Sequence, residues 1–342
     1  FSNAMLSTSS IMLGANTFTG AFDSRTNSQS LIKSLFPSVV SIGGDITSLG
    51  SVTLDASAGR VTVGGSITVP STGTNVISGI SQPTVNRYIT SYGTQNGAFA
   101  ASGSQSNVLG AAQLAGTYAP DYSRSGNIET SLPAVSITST TVAPAPAFPT
   151  DSQGQQLSQT GSTTTVSRGD YAMDSMTVSS STNLTVGSGT QPVRIFIDPG
   201  AGQANSATQV VNINGNVNAG GLPADFQIFY NGSGILNIAS PTMAATIYAP
   251  NATVLLGNSK GGRAYTFSGS VVANQIGGSL DTSTGSPVLK PTTNLRFHYD
   301  AALGSASTST NGAIKSLTYD PTAYTNPSYY QVASYSELLR SH

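Results

Sequence analysis

The chain has 342 residues, a formal net charge of −1, 8% charged residues, no Cys and no Trp. With 13 Lys and Arg it lacks the cationic footprint of a nucleic-acid binder, and without Cys it has no thiol nucleophile, disulfide or thiolate metal site. Only Glu129 and Glu337 supply glutamate, which excludes long Glu/Lys helices, and no apolar run reaches the roughly 18 residues of a membrane-spanning helix.

Ser, Thr and Asn make up about a third of the residues, far from average usage. At 38% hydrophobic, with Val, Ile and Leu recurring throughout, the chain is nonetheless too apolar for a disordered one. An all-β protein with small, uncharged surface residues is the class left standing.

Residues 1–4, Phe-Ser-Asn-Ala, read as the remnant of a cleaved tag. From 5 to 74 short apolar alternations follow one another, broken by Gly, Asn and Asp. They include Ser10–Gly14, Val39–Thr47, Ser51–Asp55 and Arg60–Val69, each a period-2 strand rich in β-branched residues. From 75 to 170 the rhythm weakens. Val85–Tyr92 and Ala111–Leu114 are compatible with helix, and 132–150 reads as an extended, Pro-rich connector, so this stretch is expected to be an irregular excursion. Between 171 and 303 the strands return, at Met176–Val178, Leu184–Val186, Val193–Asp198, Val210–Val217, Phe226–Tyr230, Ile235–Ile238, Ala245–Ala249, Ala252–Leu256 and Phe267–Ala273. The segment 304–342 is Ser/Thr-rich and then Tyr-rich, ends in the helix-compatible Ser336–Arg340, and is expected to act as a tail or cap.

A β-sandwich needs tight hairpins and about seven longer strands. A β-solenoid needs many short strands with small residues at corners. The short strands, and the alternation of Asn212, Asn214, Asn216 and Asn218 with Ile213 and Val217, favour the solenoid: polar side chains outward over an apolar inner row.

Ala245-Thr-Ile-Tyr-Ala-Pro-Asn-Ala-Thr-Val-Leu-Leu-Gly-Asn258, followed by Phe267-Ser-Gly-Ser-Val-Val-Ala-Asn274 and Phe297-His-Tyr-Asp-Ala-Ala-Leu303, is the most distinctive sequence in the chain. This order resembles an uncharacterised bacterial surface domain found in pilus-assembly-associated (PilX-like) and other exported proteins. The opening Ile11–Arg25, the Gly43–Thr47 turn with the strand after it, and the closing Gln331–Leu338, where Tyr335 stands for the family's Trp, are similar as well. The resemblance implies a right-handed parallel β-helix on an exported, cell-envelope or extracellular protein. It implies no catalytic residue and no defined ligand.

Candidate chemistry is sparse. Asp170 and Asp174 form the one spaced carboxylate pair that glycosidic chemistry calls to mind, yet Asp170 reads more simply as a turn or Asx cap. Arg168, Arg194, Lys260 and Arg263 form no cluster with acids along the sequence, as a lyase would need. His298 and Asp300 lie on one side of a strand and suit an imidazole–carboxylate contact, although the simpler reading is a capping strand in which Phe297 and Tyr299 close the core. Gly43-Gly-Asp45, Gly232-Ser-Gly234 and the 257–262 loop read as turns. Tyr230, Tyr248 and Tyr265, with Phe267 and Tyr299, would form a binding surface if they stacked on one outer face.

The expectation is therefore a non-catalytic exported β-helix without cofactor or metal, adhesive or structural. It would bind glycan or a surface or pilus protein, bind no nucleic acid, and be preceded in its native form by an anchor or signal. A carbohydrate-active enzyme and a filament-forming scaffold similar to bactofilins are the alternatives.

Overall fold

The computed structural model describes residues 4–22, 44–65, 67–69, 76–81, 89–91, 95–96, 98–103, 108–109, 134–137, 156–159, 161, 163–197, 208–230, 232–257, 264–283, 286–303 and 316–319. The N-terminal strands are β1 (Met5–Leu13), β2 (Thr17–Phe22), β3 (Ile46–Ser48), β4 (Ser51–Asp55), β5 (Val61–Val63), β6 (Ile67–Thr68), β7 (Val76–Ser81), β8 (Ile89–Ser91), β9 (Gln95–Asn96), β10 (Ala98–Gly103) and β11 (Val108–Leu109). After β12 (Ala134–Ile137) come β13 (Gln156–Gln159), β14 (Thr163–Val166), β15 (Gly169–Met173), β16 (Ser175–Val178), β17 (Asn183–Val186), β18 (Val193–Ile197), β19 (Gln209–Ile213), β20 (Asn216–Val217), β21 (Phe226–Tyr230) and β22 (Ile235–Ile238). The series closes with β23 (Thr242–Leu256), β24 (Tyr265–Gly277), β25 (Ser279–Asp281), β26 (Val288–Lys290), β27 (Leu295–Asp300) and β28 (Ser316–Tyr319).

Twenty-four of these strands form one parallel sheet wound into three faces, a parallel β-helix. The first face runs β13, β16, β19, β22, β23, β24, β1, β4, β7, β10. The second runs β14, β17, β20, β23, β24, β27, β2, β5, β8, β11. The third runs β15, β18, β21, β23, β24, β1, β3, β6, β9. Strands β23 and β24 are long because each passes a corner without leaving the sheet and serves all three faces.

Register places like side chains above one another. Tyr171, Ile195, Ile228, Ile247, Val271, Met5, Ile46 and Ile67 form one inner row, all buried. Leu184, Val217, Met243, Phe267, Phe297, Thr19 and Val63 form another. Phe267 and Phe297 stack there with centroids 4.9 Å apart. Thr19 is tolerated in that row because its hydroxyl donates to Gly44 O and accepts from Gly64 N. Further along, Ser7 and Ser48 meet inside the coil and satisfy each other at 2.8 Å.

The stack does not follow chain order. Residues 156–303 build one set of coils, and the N-terminal coils continue from its last level, so that Met5 lies between Val271 and Ile46. Residue 109 and residue 156 thus stand near opposite ends, roughly 40 Å apart at ~4.8 Å per level.

Several expectations change. Residues 75–170 are not wholly an excursion, because β7–β11 extend the N-terminal coils to 109 and β13–β15 begin the second set at 156. Within the helix-compatible Val85–Tyr92, Ile89–Ser91 is the strand β8; Ala111–Leu114, Pro144–Pro149 and Ser336–Arg340 lie outside the described residues. The Phe297–Leu303 element is no end cap, since β27 is bonded on one side to β24 and on the other to β2. Of the tail, β28 is described and pairs with β12 in a separate two-stranded sheet.

Candidate functional site

The side chains that the sequence offers as a binding surface are buried. Relative exposures are 1% for Tyr230, 1% for Tyr248, 7% for Tyr265, 4% for His298 and 1% for Asp300. Tyr230 and Tyr265 belong to the inner core. The Tyr230 hydroxyl lies inside the corner it precedes and accepts from Gly234 N at 3.0 Å, so the Gly232–Gly234 turn is a structural one. Tyr248 is on the outer side of the third face, but as one member of a buried row and not as an exposed platform.

His298 stands outward on the second face between Ser268 and Gly20, with the Phe18 ring 6.2 Å away. Burial first, and then the charge of Arg296, pushes its imidazole down to about 4, so it is neutral near pH 7. Asp300 Oδ1 accepts from Ala302 N at 3.0 Å, closing the turn after β27. Tyr299 is raised above its ordinary value by burial and then by the carboxylates of Asp300 and Asp45. His298 faces outward and Tyr299 inward on β27, and His298, Tyr299 and Asp300 are all buried.

The Asp170 reading is corrected. Asp170 lies within β15, not in a turn, and takes both forks of Arg194 on the next coil, Nε to Oδ1 at 2.6 Å and Nη2 to Oδ2 at 2.8 Å. Both carboxylate oxygens are thereby committed to a cation, the reverse of what a glycosidic acid needs. Arg168 is a second staple: Nε donates to Gly187 O at 2.8 Å, and Nη1 donates to Gln191 O at 2.7 Å and Asp225 Oδ1 at 2.8 Å. It ties its own coil to the next two. Lys260 and Arg263 lie outside the described residues. Gly44 has φ +87°, and a Cβ there would come 2.8 Å from Gly20 O, so this turn requires glycine. Gly257 turns the chain at φ +74°.

The surface of the first two faces is built from uncharged polar ladders. Asn237 Nδ2 donates to Asn212 Oδ1 at 3.1 Å, and Asn214 Nδ2 donates to the same oxygen at 2.9 Å. Asn216 Nδ2 donates to Asn183 Oδ1 at 2.6 Å, the Thr165 and Thr185 hydroxyls are 3.1 Å apart, and Thr253 Oγ1 donates to Gln275 Oε1 at 3.3 Å. No group of three or more His, Asp or Glu able to hold a metal ion occurs among the described residues.

Sequence reasoning missed the outer row of the third face: Ala172, Phe196, Phe229, Tyr248, Val272 and Leu6, in register and all buried. A signal for it exists. Ile195-Phe196-Ile197, Ile228-Phe229-Tyr230, Ile247-Tyr248-Ala249 and Val271-Val272-Ala273 are unbroken apolar runs, the mark of a strand covered on both sides.

Over residues 174–306 the chain is similar to a family described as "Domain of unknown function (DUF7305)". No curated protein and no solved structure matches it.

Proposed function

We propose that this is a non-catalytic β-helical protein of the cell envelope or exterior that binds glycan or a surface or pilus protein through its polar faces. The carrying observation is the chemistry of those faces. Asn, Thr and Gln side chains bond coil to coil in rows of fixed spacing, while Asp170, Arg194, Arg168 and Asp225 are spent on holding coils together. Such rows suit a ligand that repeats, recognised by hydroxyl and amide contacts and not by charge. The bidentate tie of Asp170 to Arg194 weighs against a carbohydrate-active enzyme.

Cell fractionation of the source organism, followed by glycan-array and pull-down binding with the purified chain, tests this reading. Binding is expected to fall at least tenfold in Thr177→Lys/Asn212→Lys, which charges the first face. Confinement of the full-length protein to the cytosol would overturn it.

End-to-end assembly is a second reading, favoured by β13–β15 and β9–β11, which have ladder partners on one side only among the described residues. It predicts concentration-dependent polymers, and a monodisperse monomer at high concentration argues against it.

A further inference from the structure

Phe196, Phe229 and Tyr248 stand outward from the third face on successive levels, outside the inner core. Their exposures are nonetheless 2%, 3% and 1%. An outward ring on a parallel sheet stays wet unless a second layer lies over it. Phe18 gives the comparison within the same helix. It stands outward on the second face, in register with Arg296 and Thr62, and is only half-buried. The third face is therefore covered, and in a single chain the cover comes from the chain itself.

Among the described residues, few elements lie outside the three faces. The 3-10 turn Pro223–Asp225 meets Gly269, about 10 Å along the strand from Val272 and so off the aromatic row. The turn Ala301–Leu303 follows β27 at the end of the second face. The β25–β26 hairpin lies on the first face, where Leu289 fills the space over Gly277. The parallel pair β12–β28 remains. Two strands alone are marginal in water and need an apolar surface to lie on. Their register pairs Val135 with Leu317 and Ile137 with Tyr319, so alternation sets these four apolar residues on one side of the pair.

We infer that β12–β28 is a second layer laid on the third face over Phe196, Phe229 and Tyr248, closing that face to any other partner. The dimensions agree. The three rings span two steps of the stack, about 10 Å, which is the width of two strands with their side chains. Strand β27 pairs with β24 on the same level as Met5–Ser7, four steps or about 20 Å from Phe196. Residues 304–315 reach at most about 45 Å, so Ser316 can attain every level of the row. In sequence β12 lies between the two sets of coils and β28 beyond both, so one layer holds both connections against the C-terminal coils.

Hydroxyl-radical footprinting with mass spectrometry on the full chain tests this. Phe196, Phe229 and Tyr248 are expected to be protected. Leu317→Asp/Tyr319→Asp, which charges the apolar side of β28, should raise their oxidation on the order of fivefold, while the inner Phe226 and Phe297 stay protected. Ser316→Asp/Thr318→Asp, on the other side, should leave all five rings protected. Independently, photo-crosslinking from benzoylphenylalanine placed at position 229 should capture residues 134–137 or 316–319. The inference is overturned if Phe229 and Tyr248 stay protected in Leu317→Asp/Tyr319→Asp, if both pairs of substitutions expose them equally, or if position 229 captures neither strand.

Discussion

The coils of residues 156–303 and those of residues 4–109 share one sheet and one register, yet side chains hold them differently. In the C-terminal coils the third face is apolar on both sides, with Phe196 and Phe229 stacked at 5.0 Å and 15° and Tyr248 in register beyond them. Two arginines lash neighbouring coils together by their carboxylate and carbonyl partners. In the N-terminal coils the same outer row shrinks to Leu6 and then the half-buried Thr47, while glycines that admit a neighbouring backbone occur in both regions, as where Gly50 meets Ser9 and Gly269 meets Ala245. Close backbone approach at glycine is common to both regions, whereas outer aromatic volume and arginine ties are concentrated in the C-terminal coils, so the two should differ most under substitutions of the outer row.

The largest expected effect falls on the thinner region. A Cβ at Gly50 would overlap Ser9 O, a backbone atom that cannot move aside without disturbing β1. Gly50→Ala is expected to cost more than about 3 kcal/mol, read as a lowered denaturation midpoint. A loss below about 1 kcal/mol would mean that the corner is looser than its geometry. In the C-terminal coils Phe229→Ala removes the middle of the outer aromatic row and should cost about 3 kcal/mol. Thr47→Ala, at the matching position of the N-terminal coils, should cost less than about 1 kcal/mol. Equal costs would erase the contrast between the two outer rows.

How much of this was legible in sequence follows from the range of each interaction. Alternation such as Val61-Thr62-Val63 is local, so the strands and the solenoid class could be read directly. Strands β7–β11 were missed because their Ser- and Gly-rich text carries little apolar contrast. The burial of the tyrosines was not legible because a tyrosine reads alike whether it lines a core, as Tyr230 does, or an outer face. Asp170 and Arg194 are 24 residues apart, one coil's length, and their pairing becomes visible only once the coil period is known. The docking of residue 5 beside residue 271 leaves no local trace, since a parallel ladder asks only for compatible rows.

pH probes the junction of the two regions, where β27 pairs with β2. His298 titrates near 4 in the fold against 6.5 free, so the unfolded chain binds more protons between those values. Stability is complete above pH 6.5 and falls as pH drops toward 4, by about 2 kcal/mol at pH 5. His298→Gln should flatten this slope in a series of denaturant midpoints. An unchanged slope would assign the pH dependence to other groups.

The smallest effect tests the polar ladders. Asn212 Oδ1 accepts from both Asn214 and Asn237, yet the three side chains are only partly buried, so water can replace what is lost. Asn212→Ala should cost about 1 kcal/mol, the net worth of such bonds at a wet surface. A substitution of that size leaves the fold in place, which separates stability from recognition. If the ladders are the binding surface, Asn212→Ala weakens ligand capture by more than its effect on the denaturation midpoint accounts for. If the ladders serve the coils alone, binding and stability decline together.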